Sequence, residues 1–272
     1  MNNNFGIIQG RLTNAPKNVL QSFPKNWQKE FLIARNLKFK FIELISERKH
    51  NFKNPIWDIK GRNQIKKITK KNNIQIYSLC DDYFIDNYLF DKKSKKIDNH
   101  LDRILEIVVD LKCKVLILPF LEKNDLRKRK YDFYVNFIKD LAIEYKKHNI
   151  TLCLESLIDA YGLNKILNKI NLDNVKCVFD TGNRINLNRN IKSEIFLLNQ
   201  SIYHVHIKDK DLKNQNVLLG TGNLNLKEIF ETFRDINYLG PYVFETTRGK
   251  DPIKTAKYNI DTCKFFLQEI NS

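Results

Sequence analysis

The chain has 272 residues, 42% of them hydrophobic, which is enough to bury a full core and too many for a disordered chain. No run of about eighteen apolar residues occurs, so no membrane-spanning helix is expected. The net charge of +16 comes mostly from lysines spread along segments of helical periodicity, and it reads as solvated helix faces rather than a nucleic-acid surface. The densest basic cluster, Arg127-Lys128-Arg129-Lys130, opens a helix and has no interleaved aromatics. The polar start Met1-Asn2-Asn3-Asn4 does not have the form of a secretory leader, so a cytoplasmic protein is expected. Cys80, Cys113, Cys153, Cys177 and Cys263 are an odd, widely spaced set without a CxxC pair, which argues against a disulfide scaffold or a zinc ribbon.

In chain order, a strand is expected over Phe5–Gln9 and a helix over Trp27–Leu37, with Phe31, Ile33, Ala34 and Leu37 on its apolar side. A strand over Phe39–Ile45 leads to a weaker helical pattern over Asp58–Lys71. Ile74–Leu79 is the third strand, and Ile97–Leu111 is a helix with Leu101, Ile104, Leu105, Val108 and Leu111 at helical spacing. Strand Lys114–Pro119 precedes helix Tyr131–His148. Strand Ile150–Glu155 precedes helix Leu163–Ile170, and Val175–Asp180 precedes Ser193–Leu198. Ile202–Lys208 and Tyr242–Thr246 are the last strands, followed by helices over Leu226–Phe233 and Pro252–Ile270 respectively. Each strand is a nearly continuous apolar run, as parallel strands covered on both faces require. Eight alternations without a linker-like tract predict a single-domain α/β protein, a (β/α)8 TIM barrel over residues 1–272. Gly10-Arg11-Leu12 after the first strand is no dinucleotide fingerprint, which weighs against an open doubly wound sheet.

In such barrels the reactive groups stand where strands give way to loops at the C-terminal rim. Four consecutive strands end in Glu155, Asp180, His206 and Glu245. Three carboxylates and an imidazole suit one divalent ion, Mn²⁺, Mg²⁺, Co²⁺ or Zn²⁺, whose charge cancels the carboxylates' mutual repulsion. His204 shares a face with His206 two residues away and reads as a hydrogen-bonded core histidine one layer deeper. Glu43 ends the second strand, where it could bind substrate hydroxyls or pair with a lysine. Asp81 and Asp82 follow the third strand. Arg11 and Arg248 lie in mouth loops, where either could clamp a phosphate or carboxylate or simply pair with carboxylates of the rim. Gly220-Thr221-Gly222 could cradle an anion.

Gln9-Gly10-Arg11-Leu12, Cys80-Asp81-Asp82-Tyr83-Phe84, Leu118-Pro119-Phe120, Leu154-Glu155-Ser156, Phe179-Asp180-Thr181-Gly182-Asn183, His204-Val205-His206-Ile207-Lys208-Asp209 and Leu219-Gly220-Thr221-Gly222-Asn223 span nearly the whole chain. Together they resemble the sugar phosphate isomerase/epimerase group of the xylose isomerase-like TIM barrels. The resemblance implies metal ligands at Glu155, Asp180, His206 and Glu245, with Glu155 and Glu245 doubling as acid and base on opposite faces of the substrate. Ketose epimerases of this group carry a histidine where this chain has Asn183, and often an arginine where Lys208 and Lys210 are the nearest cations. Those departures bear on the substrate.

The expected reaction is proton transfer beside a carbonyl of a small sugar or sugar phosphate, through an enediolate. Glu155 removes the proton and Glu245 returns one, help worth roughly 10²–10⁴-fold. Glu43, Asn183, Lys208, Arg248 and Arg11 are the expected substrate-binding residues. A dehydratase of the inosose dehydratase type would use the same intermediate. An endonuclease IV-like nuclease would need further histidines at the ends of strands two, three and six, and none of the five histidines stands there. A homo-oligomer with closed symmetry is a further expectation.

Overall fold

A computed structural model of the chain describes residues 4–15, 21–87, 89, 96–128, 131–185, 187 and 190–271. It begins with β1 (Phe5–Ile8), α1 (Trp27–Asn36), β2 (Phe41–Ser46), α2 (Ile59–Asn72), β3 (Gln75–Asp81), the short α3 (Tyr83–Asp86), α4 (Lys96–Asp110), β4 (Val115–Phe120) and α5 (Tyr131–Lys146). It continues with β5 (Thr151–Ser156), α6 (Ala160–Ile170), β6 (Val175–Asp180), the short α7 (Thr181–Ile185), α8 (Ile191–Leu198) and β7 (Ile202–Ile207). A two-stranded hairpin, β8 (Asp209–Lys210) with β9 (Asn216–Val217), precedes α9 (Leu226–Asp235), β10 (Tyr242–Phe244) and α10 (Pro252–Asn271).

Eight of these strands close a parallel barrel in the order β1-β2-β3-β4-β5-β6-β7-β10, with β10 returning to β1. All eight expected strands form, with limits that differ from those expected by at most two residues. β7 stops at Ile207 and β10 at Phe244, so Lys208 and Glu245 sit just past their strands. The basic cluster does not open α5: Leu126–Lys128 is a 3₁₀ turn and the helix starts at Tyr131, while Arg129 and Lys130 lie outside the described residues, as do Met1 to Asn3.

Local chemistry explains the helix limits. Asp58 and Asp159 accept the Gly61 and Gly162 amides at 2.8 and 2.7 Å and so cap the starts of α2 and α6. The chain has only nine glycines, and asparagine takes glycine's place where helices end in the left-handed conformation. Asn73, Asn149, Asn171 and Asn237 stand there at φ 53°, 57°, 51° and 54°.

Apolar packing divides in two. A large sheath lies between strands and helices, from Phe31 on α1 through Ile104, Ile138, Ile166 and Phe230 to Cys263 on α10. A small cluster fills the barrel: Ile8, Phe41, Ile45, Cys80, Val115, Ile117, Cys153, Val178 and Val243. Gly6 belongs to that inner floor, since a Cβ there would fall 2.0 Å from the Phe41 ring. All five cysteines are free and buried. Among the described residues no helix is long and apolar enough to cross a membrane.

Candidate metal centre

Alternation along a strand sets the site. Cys153, Val178 and Val243 point into the barrel, so Glu155, Asp180 and Glu245, two residues further, point the same way one layer nearer the rim. His204 and His206 continue the pattern on β7. Each of Glu155, Asp180, His206 and Glu245 offers a donor atom, and the four atoms lie within 4.8 Å of one another. All four side chains are buried. The cavity above them, about 380 Å³, is lined by Gln21, Arg48, Asp82, Asn183 and Lys208 as well as Glu155 and Glu245.

His206 is the best-positioned donor. Its Nε2 lies 2.9 Å from Glu43 Oε1, which leaves Nδ1 facing Glu245 Oε2 at 3.2 Å and Glu155 Oε2 at 3.8 Å. That buried Nδ1 has no well-aligned hydrogen bond. A carboxylate behind a histidine that turns its other nitrogen toward a ring of carboxylates is the usual support of a metal-bound imidazole. Two of the cluster's carboxylates meet a protein cation: Lys208 Nζ lies 2.6 Å from Asp180 Oδ2 and 2.9 Å from Glu245 Oε2. The donor set thus fits a divalent ion, with oxygen in excess and one nitrogen.

Charge is divided unevenly across the cluster. Burial raises the Glu155 carboxyl; His206 opposes this, while Asp180 and Glu245 add to the rise. Burial would raise Glu245 as well, but Lys208, His206 and Arg11 outweigh it and hold that carboxyl well below the usual range. Burial would lower His206, yet Glu43 and Glu245 hold it well above its ordinary value. For Glu43 burial is again outweighed, by His206 and His204, and the carboxyl falls to about 2.

The residues expected to bind substrate fall into two groups. Asn183 and Lys208 reach the cavity: Asn183 Nδ2 donates to Glu155 Oε1 at 3.0 Å. Glu43 does not reach it. Fully buried below His206, it accepts from Ser78 Oγ at 2.6 Å and lies 2.8 Å from His204 Nε2, so it pairs with histidines and not with lysine. His204 occupies the deeper layer. Arg11 is buried with its guanidinium 3.8 Å from Glu245. Arg248 donates to the Gly10 carbonyl at 2.5 Å and is not among the residues lining the cavity.

Two motifs acquire physical reasons. In Asp180-Thr181-Gly182-Asn183, the aspartate gives Oδ1 to the Asn183 amide at 2.8 Å and keeps Oδ2 for the site. Thr181 Oγ1 bonds Lys208 O at 2.7 Å, and a Cβ on Gly182 would fall 2.5 Å from Lys208 Cγ. The motif therefore seats Lys208. The loop at Gly220-Thr221-Gly222 does cradle an anion, but an internal one: Asp209 accepts the amides of Lys210, Gly220, Gly222 and Leu224 at 2.8, 3.0, 2.9 and 3.0 Å.

No curated protein matches the sequence significantly. Solved structures share the fold at low identity. An L-ribulose 3-epimerase superposes with TM-score 0.77 at 16% identity, covering 98% of this chain and 95% of its own. The 3-keto-D-glucoside 4-epimerase from E. coli gives TM-score 0.71 at 17% identity, covering 96% and 99%. A probable 3-DHS dehydratase involved in petrobactin synthesis, from Bacillus anthracis, gives 0.72 at 16%, covering 96% and 98%. The sequence profile of the xylose isomerase-like TIM barrels matches residues 31–268, nearly nine-tenths of the chain, and with a closed eight-stranded barrel behind that match the protein belongs to this family.

Proposed function

We propose that this protein is a divalent-metal-dependent isomerase or epimerase acting on a small sugar or sugar phosphate through an enediolate. One observation carries the reading: Glu155 and Glu245 share a four-residue donor cluster yet have opposite proton preferences. Carboxyls whose surroundings push them apart are how one site both gives and takes a proton. The structural relatives named for sugar epimerisation support the substrate class.

Glu155, Asp180, His206 and Glu245 would hold the ion, which when bound supplies positive charge against the oxyanion of the enediolate. Glu245, held ionised, removes the proton beside the carbonyl. Glu155, whose carboxyl burial raises, returns one, to the opposite face for epimerisation or to the neighbouring carbon for isomerisation, and the two exchange roles with the configuration of the sugar. Glu43 fixes the tautomer and orientation of His206. Lys208 neutralises Asp180 and Glu245 in the resting site, and Asn183 orients Glu155. Burial keeps water from competing for these groups.

The test is deuterium exchange. The metal-loaded protein in D₂O, given a panel of ketoses, aldoses and their phosphates, should place deuterium next to the carbonyl of its substrate, read by NMR. Glu155→Gln and Glu245→Gln should each abolish that exchange. Full exchange in either variant refutes its acid–base role. Loss of water from the substrate in place of exchange into recovered sugar would make the enzyme a dehydratase.

A further inference from the structure

A second cavity of about 460 Å³ adjoins the first, and the two share the side chain of Arg48. Among the described residues it is lined by Arg48, Lys49, Lys96, Arg103, His50 and His100, with Tyr83, Asn87 and Asn99, and by no carboxylate. Arg48 is already paired, with both oxygens of Glu122 at 2.6 and 3.1 Å and with Asp86 at 3.2 Å, so the cavity's positive charge comes from its other cations.

Arg103 and the two histidines are held from behind. Arg103 lies over the Trp57 ring at 5.0 Å and donates to the Trp57 carbonyl at 3.3 Å, which fixes its guanidinium without discharging it. His100 Nε2 donates to the buried Asp81 at 2.8 Å, and its Nδ1 lies 2.9 Å from His50 Nε2. His100 also stacks on Tyr83 at 3.9 Å, which makes a rigid wall of rings. A concave site with a fixed guanidinium, flanking lysines and, among the described residues, no carboxylate in its lining favours an anion, and a guanidinium fork suits tetrahedral oxyanions. At this size it admits a phosphate group together with the carbon that carries it.

We propose that this cavity is a phosphoryl subsite, and that the sugar acted on beside Glu155 and Glu245 carries a phosphate that the subsite holds. The second half of this statement rests on the isomerase or epimerase reading. Arg48, common to both cavities, would lie along the sugar between its reacting end and its phosphate.

The test is binding to the full chain stripped of metal, followed by ³¹P NMR. Inorganic phosphate should bind saturably. Arg103→Gln and Lys49→Gln should each weaken it about tenfold, as loss of one charge-assisted contact does. Lys49 is exposed, so its variant tests the site without disturbing the packing around Trp57. Ribulose 5-phosphate should displace the phosphate and ribulose should not. No saturable binding, or binding indifferent to both substitutions, overturns the subsite. Saturable phosphate binding without displacement by the sugar phosphate overturns its assignment to the substrate. No turnover is read, so these results stand apart from the outcome of the exchange experiment.

Discussion

Replacing Glu43 by Gln leaves the shape of the buried layer intact and changes what His206 can do. Glu43 Oε2 faces two groups, the Ser78 hydroxyl at 2.6 Å and His204 Nε2 at 2.8 Å, whereas Oε1 faces only His206 Nε2 at 2.9 Å. A glutamine has one carbonyl oxygen, and it belongs on the side with two partners. Its amide then points at His206 Nε2, which must accept rather than donate, and the ring proton moves to Nδ1, the atom aimed at Glu155 and Glu245. A protonated Nδ1 cannot bind metal. Disturbing the group behind a metal-bound histidine typically weakens affinity about 10–100-fold, which is about 1.4–2.7 kcal/mol. Competition of Mn²⁺ with a chelator, followed by calorimetry, measures this directly, with thermal unfolding as a check on the fold. A Glu43→Gln variant that folds normally and binds Mn²⁺ as the parent does would refute both the assignment of Nδ1 and the supporting role of Glu43.

Metal affinity should also depend on pH. Glu155 and His206 both carry raised pKa values in the ion-free protein, so below those values the cation must displace a proton from each. Affinity should therefore rise between pH 6 and 8 by up to about tenfold per unit for each proton displaced, and a flat profile in calorimetric titrations would contradict the charge distribution of the site. Asp209→Asn turns one carboxylate oxygen into a donor facing backbone amides, and should destabilise the chain by about 3 kcal/mol. Limited proteolysis should then cut within residues 218–224, and an unchanged cleavage pattern would count against the clasp. Arg184 is buried, 2.6 Å from Glu194, whose other oxygen accepts the Ala160 amide at 3.1 Å. Arg184→Ala strands that carboxylate and should cost about 3–5 kcal/mol in urea unfolding, far more than removing an exposed pair such as Lys146 with Asp173.

The strands and the convergence of the four candidate ligands were legible because both obey short-range rules. Apolar runs mark parallel strands, and the first polar residue at the end of such a run marks the rim. Val175–Asp180 is found with its limits unchanged. What escaped depends on partners distant in sequence. Glu43 and His206 are 163 positions apart, and nothing near Glu43 says that it lies under a histidine. One signal was present: Phe41 and Ile45 point into the barrel, so Glu43 between them must do so too, and a carboxylate in that layer needs a cationic or hydrogen-bonding neighbour. The anion held by Gly220 and Gly222 was hidden for a similar reason, since Asp209 precedes them by 11 and 13 positions across a hairpin. The chain formed by Asp81, His100 and His50 joins a strand end, a helix and a loop, and no local pattern announces it.

The plug made by Phe41 packed over Gly6, with Ile8, Ile117 and Val243 around it, shuts one end of the tunnel. Nothing passes through the barrel's filled end, so the cavity beside Glu155 and Glu245 is entered from the rim side. Whatever enters must leave by the way it came, so a spent molecule bars the next until it departs, and product and reactant should compete for the same empty protein.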